Sequence, residues 1–237
     1  MKLLRSLLLF VALIQGGMLI GQIKQRNLPE FDYKKYHFGF LLSVNNSDFY
    51  FDYKPDYTFS DSLYGIDNQK QQGFNLALLA SYNLTPNIRF RFIPGLSFQD
   101  RGLNYRFLAA DGTQESQLKR TESVYLDFPI LLKLRTNRVN NFAAYALIGG
   151  KYSKDMQSQK DVNNALSADV IIKLKDTDYS LDVGGGFDFF LPFFKLSLEM
   201  KVANGFPNVL IQENTIYSNP IEKLRTRAVI FSVCFEG

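Results

Sequence analysis

The chain lacks tryptophan, holds one histidine and one cysteine, and after its first twenty-odd residues contains no long uninterrupted apolar run. Each absence excludes something. A lone Cys234 permits no intramolecular disulfide and no thiolate metal cage. A Ser–His–Asp triad would have to be built around the single His37, and an interior hydrogen-bonded histidine is the simpler expectation. Asp48, Asp52, Asp56, Asp61 and Asp67 lack the ligand spacing of an EF-hand and read as a solvated acidic loop. Gly184, Gly185 and Gly186 are followed by neither a Lys–Ser/Thr pair nor a helix, so they are no phosphate loop. There is no basic helix and no nucleic-acid module. The expectation is therefore no catalytic residue, no cofactor, no metal, no nucleic-acid partner and no small-molecule substrate.

What is present is aromatic and alternating. Phe (22) and Tyr (13) bring aromatics to 15% of 237 residues, a bias toward strands. Lys2 and Arg5, an apolar stretch from Leu7 to Ile14 and small residues near Gly21 have the layout of a secretory signal peptide, expected at 1–21. Its removal takes two cations and no acid, lowering the formal charge from +4 to about +2. Residues 22–35 read as a flexible periplasmic lead, and 36–237 as one domain.

Eight segments alternate apolar and polar: 36–44, 73–83, 88–98, 122–135, 142–152, 179–191, 194–203 and 226–236. Successive side chains leave a strand on opposite faces. In KLSLEMKV, Leu196, Leu198, Met200 and Val202 share one face, and Lys195, Ser197, Glu199 and Lys201 the other. The connections alternate long and short, as in an up-and-down barrel with short periplasmic turns and long extracellular loops. Pro94 and Pro129 fall inside strands and call for local bulges. Tyr36, Tyr82, Tyr152 and Tyr179 fall at strand ends, where interfacial girdles belong.

A soluble barrel could show the same alternation with its faces reversed. The apolar faces here are large, with Phe and Leu nearly throughout. The charged faces carry Gly, Ser and Ala between the charges, as a crowded interior requires. The pattern therefore predicts an all-β, eight-stranded antiparallel transmembrane barrel in the cell outer membrane, both termini periplasmic, contacting outer-membrane lipid. Its filled polar lumen should hold a network of Arg89, Arg91, Asp127, Lys133, Arg135, Asp182, Asp188, Lys195, Glu199 and Lys201. The first loop carries Tyr50, Tyr53, Tyr57, Phe59 and Tyr64. These either form a partner-contact surface or pack against strands that extend past the membrane.

The stretch NLPEFDYKKYHFGFLLSVNNSDFYFDY (27–53), with FPILLKLR (128–135), AYALIGGKYSKD (144–155) and LDVGGGFDFF (181–190), resembles the PorT family of outer-membrane barrels from Bacteroidota. The resemblance covers essentially the whole mature chain. It implies a non-enzymatic component needed for type IX protein secretion, including adhesin export in gliding species, with other membrane proteins of that machinery as partners. The family offers no catalytic residue to carry over. A lipid-modifying barrel enzyme using His37 and a structural or adhesive barrel are the alternatives.

Overall fold

In a computed structural model, residues 26–57, 63–109, 111–160 and 170–237 are described; the expected signal peptide lies outside them. Nine strand segments follow in order: β1 (Tyr36–Tyr53), β2 (Leu63–Asn83), β3 (Ile88–Phe92), β4 (Gly95–Leu108), β5 (Gln114–Arg135), β6 (Phe142–Asp155), β7 (Thr177–Phe190), β8 (Lys195–Gly205) and β9 (Ile221–Glu236). Every pairing is antiparallel. β1 pairs with both β2 and β9, so the sheet closes on itself.

β3 and β4 act as one stave. Both lie between β2 and β5, and the register with β5 is the same on either side of the break: Phe92 faces Ile130 and Gly95 faces Asp127. Pro94 and Pro129 therefore interrupt the ladder without inserting the expected bulge residue. A proline removes a donor, but the neighbours still pair: Ile93 N–H donates to the Pro129 carbonyl at 3.2 Å, and Leu78 N–H to the Pro94 carbonyl at 2.9 Å.

The register fixes the barrel's shape. Stepping across from Phe38 to Ala80, Phe92, Ile130, Gly150, Leu181, Asn204 and Arg227 returns to β1 at Asp48, ten residues from the start. Eight staves with that stagger tilt by about 40° and enclose a radius of roughly 8 Å, space that side chains fill.

Polarity reverses partway along the axis. Around the lower band, Phe38, Leu42, Val44, Phe74, Leu78, Ile130, Leu134, Phe187, Leu198 and Phe231 point outward and are exposed. Tyrosine pairs border the band: Tyr36 with Tyr82 at 5.1 Å on the rim where β1 begins and β9 ends, and Tyr152 with Tyr179 at 5.2 Å on the far side. Beyond it the outside turns polar, with Asp67, Gln69, Gln72, Arg120 and Glu122 exposed. There the inside turns apolar. Phe49, Leu63, Ile66, Leu103, Tyr105, Ile221 and Leu224 pack with Ile172, Leu174, Val209, Leu210 and Tyr217 from the connecting segments. A register shift in β2 between Lys70 and Phe74 makes the switch possible there, putting Ile66 rather than an odd-numbered neighbour on the inner face.

The connections differ from expectation. β1 and β2 run far into the segment read as a long first loop, leaving 54–62. β4 and β5 nearly meet, leaving 109–113. The longer connections are 156–176 and 206–220. Tyr50 and Tyr53 thus lie on β1 and Tyr64 on β2, all part-exposed, while Phe49 is buried. The Tyr53 hydroxyl is 3.1 Å from the Ile66 carbonyl, which ties β1 to β2 above the end of their ladder. Tyr57 stands in the connection, and Phe59 lies outside the described residues. At the end of β6 beyond the apolar band, Asp176 accepts from Lys154 at 2.6 Å and Lys160 at 2.9 Å; these bonds hold its carboxyl down at about 2.

Gly39 sits on the β1–β9 seam, where an added Cβ would come within 2.0 Å of the Phe235 carbonyl oxygen. Gly39→Val should therefore prevent seam closure, and the variant should lose the fast, heat-sensitive mobility of a folded barrel on unheated SDS gels.

Candidate functional site

The lumen within the apolar band is the most heavily charged interior of the molecule. All ten residues expected there are buried: Arg89, Arg91, Asp127, Lys133, Arg135, Asp182, Asp188, Lys195, Glu199 and Lys201. A buried charge is tolerated only when paired. Arg91 meets Glu199 at 2.7 Å, and the Tyr145 hydroxyl donates to the same carboxylate at 3.2 Å. Lys133 meets Asp188 at 2.7 Å, with the Ser197 hydroxyl donating at 2.6 Å, and its ammonium lies 3.5 Å from the Tyr145 ring centroid. Lys195 meets Glu236 at 2.7 Å. A looser group stands nearer the far end of the band: Lys201 with Asp182 at 3.7 Å, and Lys151 with Asp127 at 3.6 Å, where Ser153 donates to Asp127 at 2.6 Å.

The sequence pattern missed several members. Lys151 stands in β6, where Ala143, Tyr145 and Leu147 hid the inward parity behind apolar side chains. Glu236 is the last strand residue, and its inward parity with Cys234 and Ser232 was the available signal. Asp32 has no such signal, because it lies in the lead.

That lead is docked, contrary to the flexible tether expected. Asn27 donates through its main chain to Asn141 at 2.8 Å and through its side chain to the Phe190 carbonyl at 2.9 Å. Phe31 is buried, stacked on His37 at 3.8 Å and edge-on to Phe190 at 5.7 Å. Asp32 accepts from Arg89 at 2.9 Å and Arg135 at 2.7 Å, with Arg138 at 3.9 Å. Residues 27–34 thus stopper the rim where β1 begins and β9 ends. His37 contacts Asn83 at 3.1 Å, and its Nδ1 has no partner among the described residues, so no carboxylate holds it as a triad would. No cluster of metal-ligating side chains is found among the described residues.

Little space is left inside. The lumen holds a cavity of about 30 Å³ beside Asn75, Asp127, Lys151, Asp182 and Lys201, and one of about 10 Å³ beside Gln99, Tyr125 and Ser180. The first admits a water or two, and neither admits a solute. A concavity of about 560 Å³ lies on the outer wall among Leu42, Val44, Phe187, Met200 and Phe231, at the level where acyl chains belong.

A closed antiparallel barrel with an apolar belt outside and ion pairs inside has one solvent that suits it. The family model for "Outer membrane protein beta-barrel domain" matches residues 21–210. The chain belongs to this outer-membrane β-barrel family. Among solved structures it is similar to the outer membrane protein OprG from Pseudomonas aeruginosa, at 12% identity, with 90% of this chain and 97% of that chain covered and a TM-score of 0.51. It is also similar to Ail, the attachment invasion locus protein of Yersinia pestis, at 11% identity, with 86% and 100% covered and a TM-score of 0.40. The first likeness supports the fold; the second is too loose to carry an argument. No curated protein matches.

Removing one partner of a buried pair strands the other, at a cost of about 3–5 kcal/mol. Arg91→Met and Glu199→Leu should each destabilise the refolded barrel by that order, and the double variant by less than either, in urea titrations in lipid vesicles. Asp32→Ala should loosen the stopper without unfolding the barrel. Limited trypsin digestion should then cleave after Lys34 or Lys35 several-fold faster, while the heat-sensitive gel mobility persists.

Proposed function

We propose that this barrel is a non-enzymatic component of type IX protein secretion, set in the outer membrane with both termini and the stoppered rim on the periplasmic side and the 206–220 rim outside. One observation carries the reading. The 27–53 block on which the resemblance to the PorT family chiefly rests is also the block that closes the molecule. It supplies Phe31 and Asp32 to the stopper, His37 beneath it, and the seam of β1 with β9.

A lumen crossed by ion pairs and plugged at one end leaves no path for a cargo protein, so the role would be exercised through contacts. The partners expected are outer-membrane lipid around the belt and other membrane proteins of the secretion machinery. The part-exposed Tyr50, Tyr53 and Tyr64 stand on the outer extensions of β1 and β2, where such contacts are available.

Deleting the gene should abolish release of type IX cargo into the medium, with cargo accumulating in the periplasm, and the intact gene should restore release. Normal cargo release in the deletion strain would overturn the reading. An altered lipid A mass spectrum in that strain would instead favour a lipid-modifying enzyme.

A further inference from the structure

The strands that rise past the apolar belt do not all keep their neighbours. β5 pairs with β6 from Arg135 opposite Tyr145 to Tyr125 opposite Asp155. One further bond runs from Met156 N–H to the Val124 carbonyl, at 2.8 Å. β5 itself continues to Gln114, paired with β4 on its other flank all the way to Leu108 opposite Gln114. Among the described residues, no strand lies beside Gln114–Ser123 on the β6 side.

The phase of this edge can be read from the ladder. Ile93 N–H donates to the Pro129 carbonyl and Ala109 N–H to the Thr113 carbonyl. Antiparallel ladders alternate, so odd-numbered β5 residues turn their main-chain groups toward β4 and even-numbered ones toward β6, as Val124 does. Gln114, Ser116, Leu118, Arg120 and Glu122 therefore each present an N–H and a carbonyl to the open side.

The corresponding flank of β9 is sealed. Above Asn204 opposite Arg227, β9 loses β8. There the chain covers the edge itself: Val209 N–H donates to the Leu224 carbonyl at 2.9 Å, and Leu224 N–H donates to Asn208 Oδ1 at 2.9 Å. An open edge is usually blunted by proline or by charge lying along it. This one has no proline, and its Arg120 and Glu122 are exposed on the outer face. Lys119 is folded inward, its ammonium 4.5 Å from the Tyr217 ring centroid.

We propose that the Gln114–Glu122 edge is a docking strand that takes an extended segment of another protein as an added β-strand. Main-chain bonds to the five even-numbered residues would supply the affinity. Arg120, exposed on the outer face and paired with no described residue, fits an acidic side chain on the incoming strand. A second copy in the same membrane does not fit. Two barrels there are related by an axis along the membrane normal, and strands tilted by about 40° would cross at about 80° rather than pair. The proposal stands whether or not the barrel serves secretion.

The test is a photo-crosslinking residue in place of Leu118, in cells expressing the full chain. The expected product joins Leu118 to one defined stretch of one other protein. Ser116→Pro with Arg120→Pro removes two edge donors and leaves the β4 ladder intact; it should lower the yield more than about tenfold. Heat-sensitive gel mobility confirms that the variant is folded, and Ser116→Pro alone, expected to lower the yield several-fold, serves if the double variant is not. Amide hydrogen exchange of the purified protein gives an independent reading, with residues 116, 118, 120 and 122 exchanging much faster than 117, 119 and 121. Crosslinks only to residues 161–169 of the same chain, to a second copy or to no protein would overturn the proposal. So would a yield indifferent to the prolines, or equal protection of the two sets of amides.

Discussion

Charge pairing across a narrow bore is the constraint on which the rest of this barrel depends. Lipid demands an apolar exterior, and strict alternation then drives every second residue inward, where ten of the expected ionic side chains are buried. Charges at that depth persist only if each meets its opposite at close range. Arg91–Glu199, Lys133–Asp188 and Lys195–Glu236, all at 2.7 Å, join staves that are not sheet neighbours or fix those that are. The pairs link β3 to β8, β5 to β7, and β8 to β9. The same side chains that satisfy one another also occlude the bore, so an ionic interior and a non-conducting one are a single property here.

Above the belt the arrangement turns inside out. The outer surface becomes polar, and the interior gathers Phe49, Leu103, Tyr105 and Leu224 around residues contributed by the connecting segments. This follows from the change of solvent. In water, burying apolar area is favourable and exposed charge costs nothing. One closed sheet thus contains two cores of opposite character. The β2 register shift lies close to where they meet.

The period of two made the belt and the lumen legible in the sequence, because a lipid-facing strand cannot slip by one residue without turning its charges into the membrane. Arg89, Arg91, Lys133 and Asp188 were readable for that reason. The outer strand extensions were not. Residues such as Asp67, Gln69, Lys70 and Gln72 look like loop when apolar alternation is the criterion, and the inner partners there come from connecting segments distant in sequence. Lys151 was masked by small and apolar neighbours that also face inward. The stopper was illegible because a short polar stretch with one phenylalanine and one aspartate has no periodicity. Its order comes from Phe190, His37 and three arginines that only the closed barrel assembles.

Arg89 stands between the two ends of the barrel. Asp32 before β1 reaches it at 2.9 Å, and Glu236 at the close of β9 lies at 4.0 Å, also holding Lys195. Without β9, Arg89 would keep Asp32 while Lys195 would lose its carboxylate partner Glu236. Completion of the wall and neutralisation of Lys195 at its base are one event.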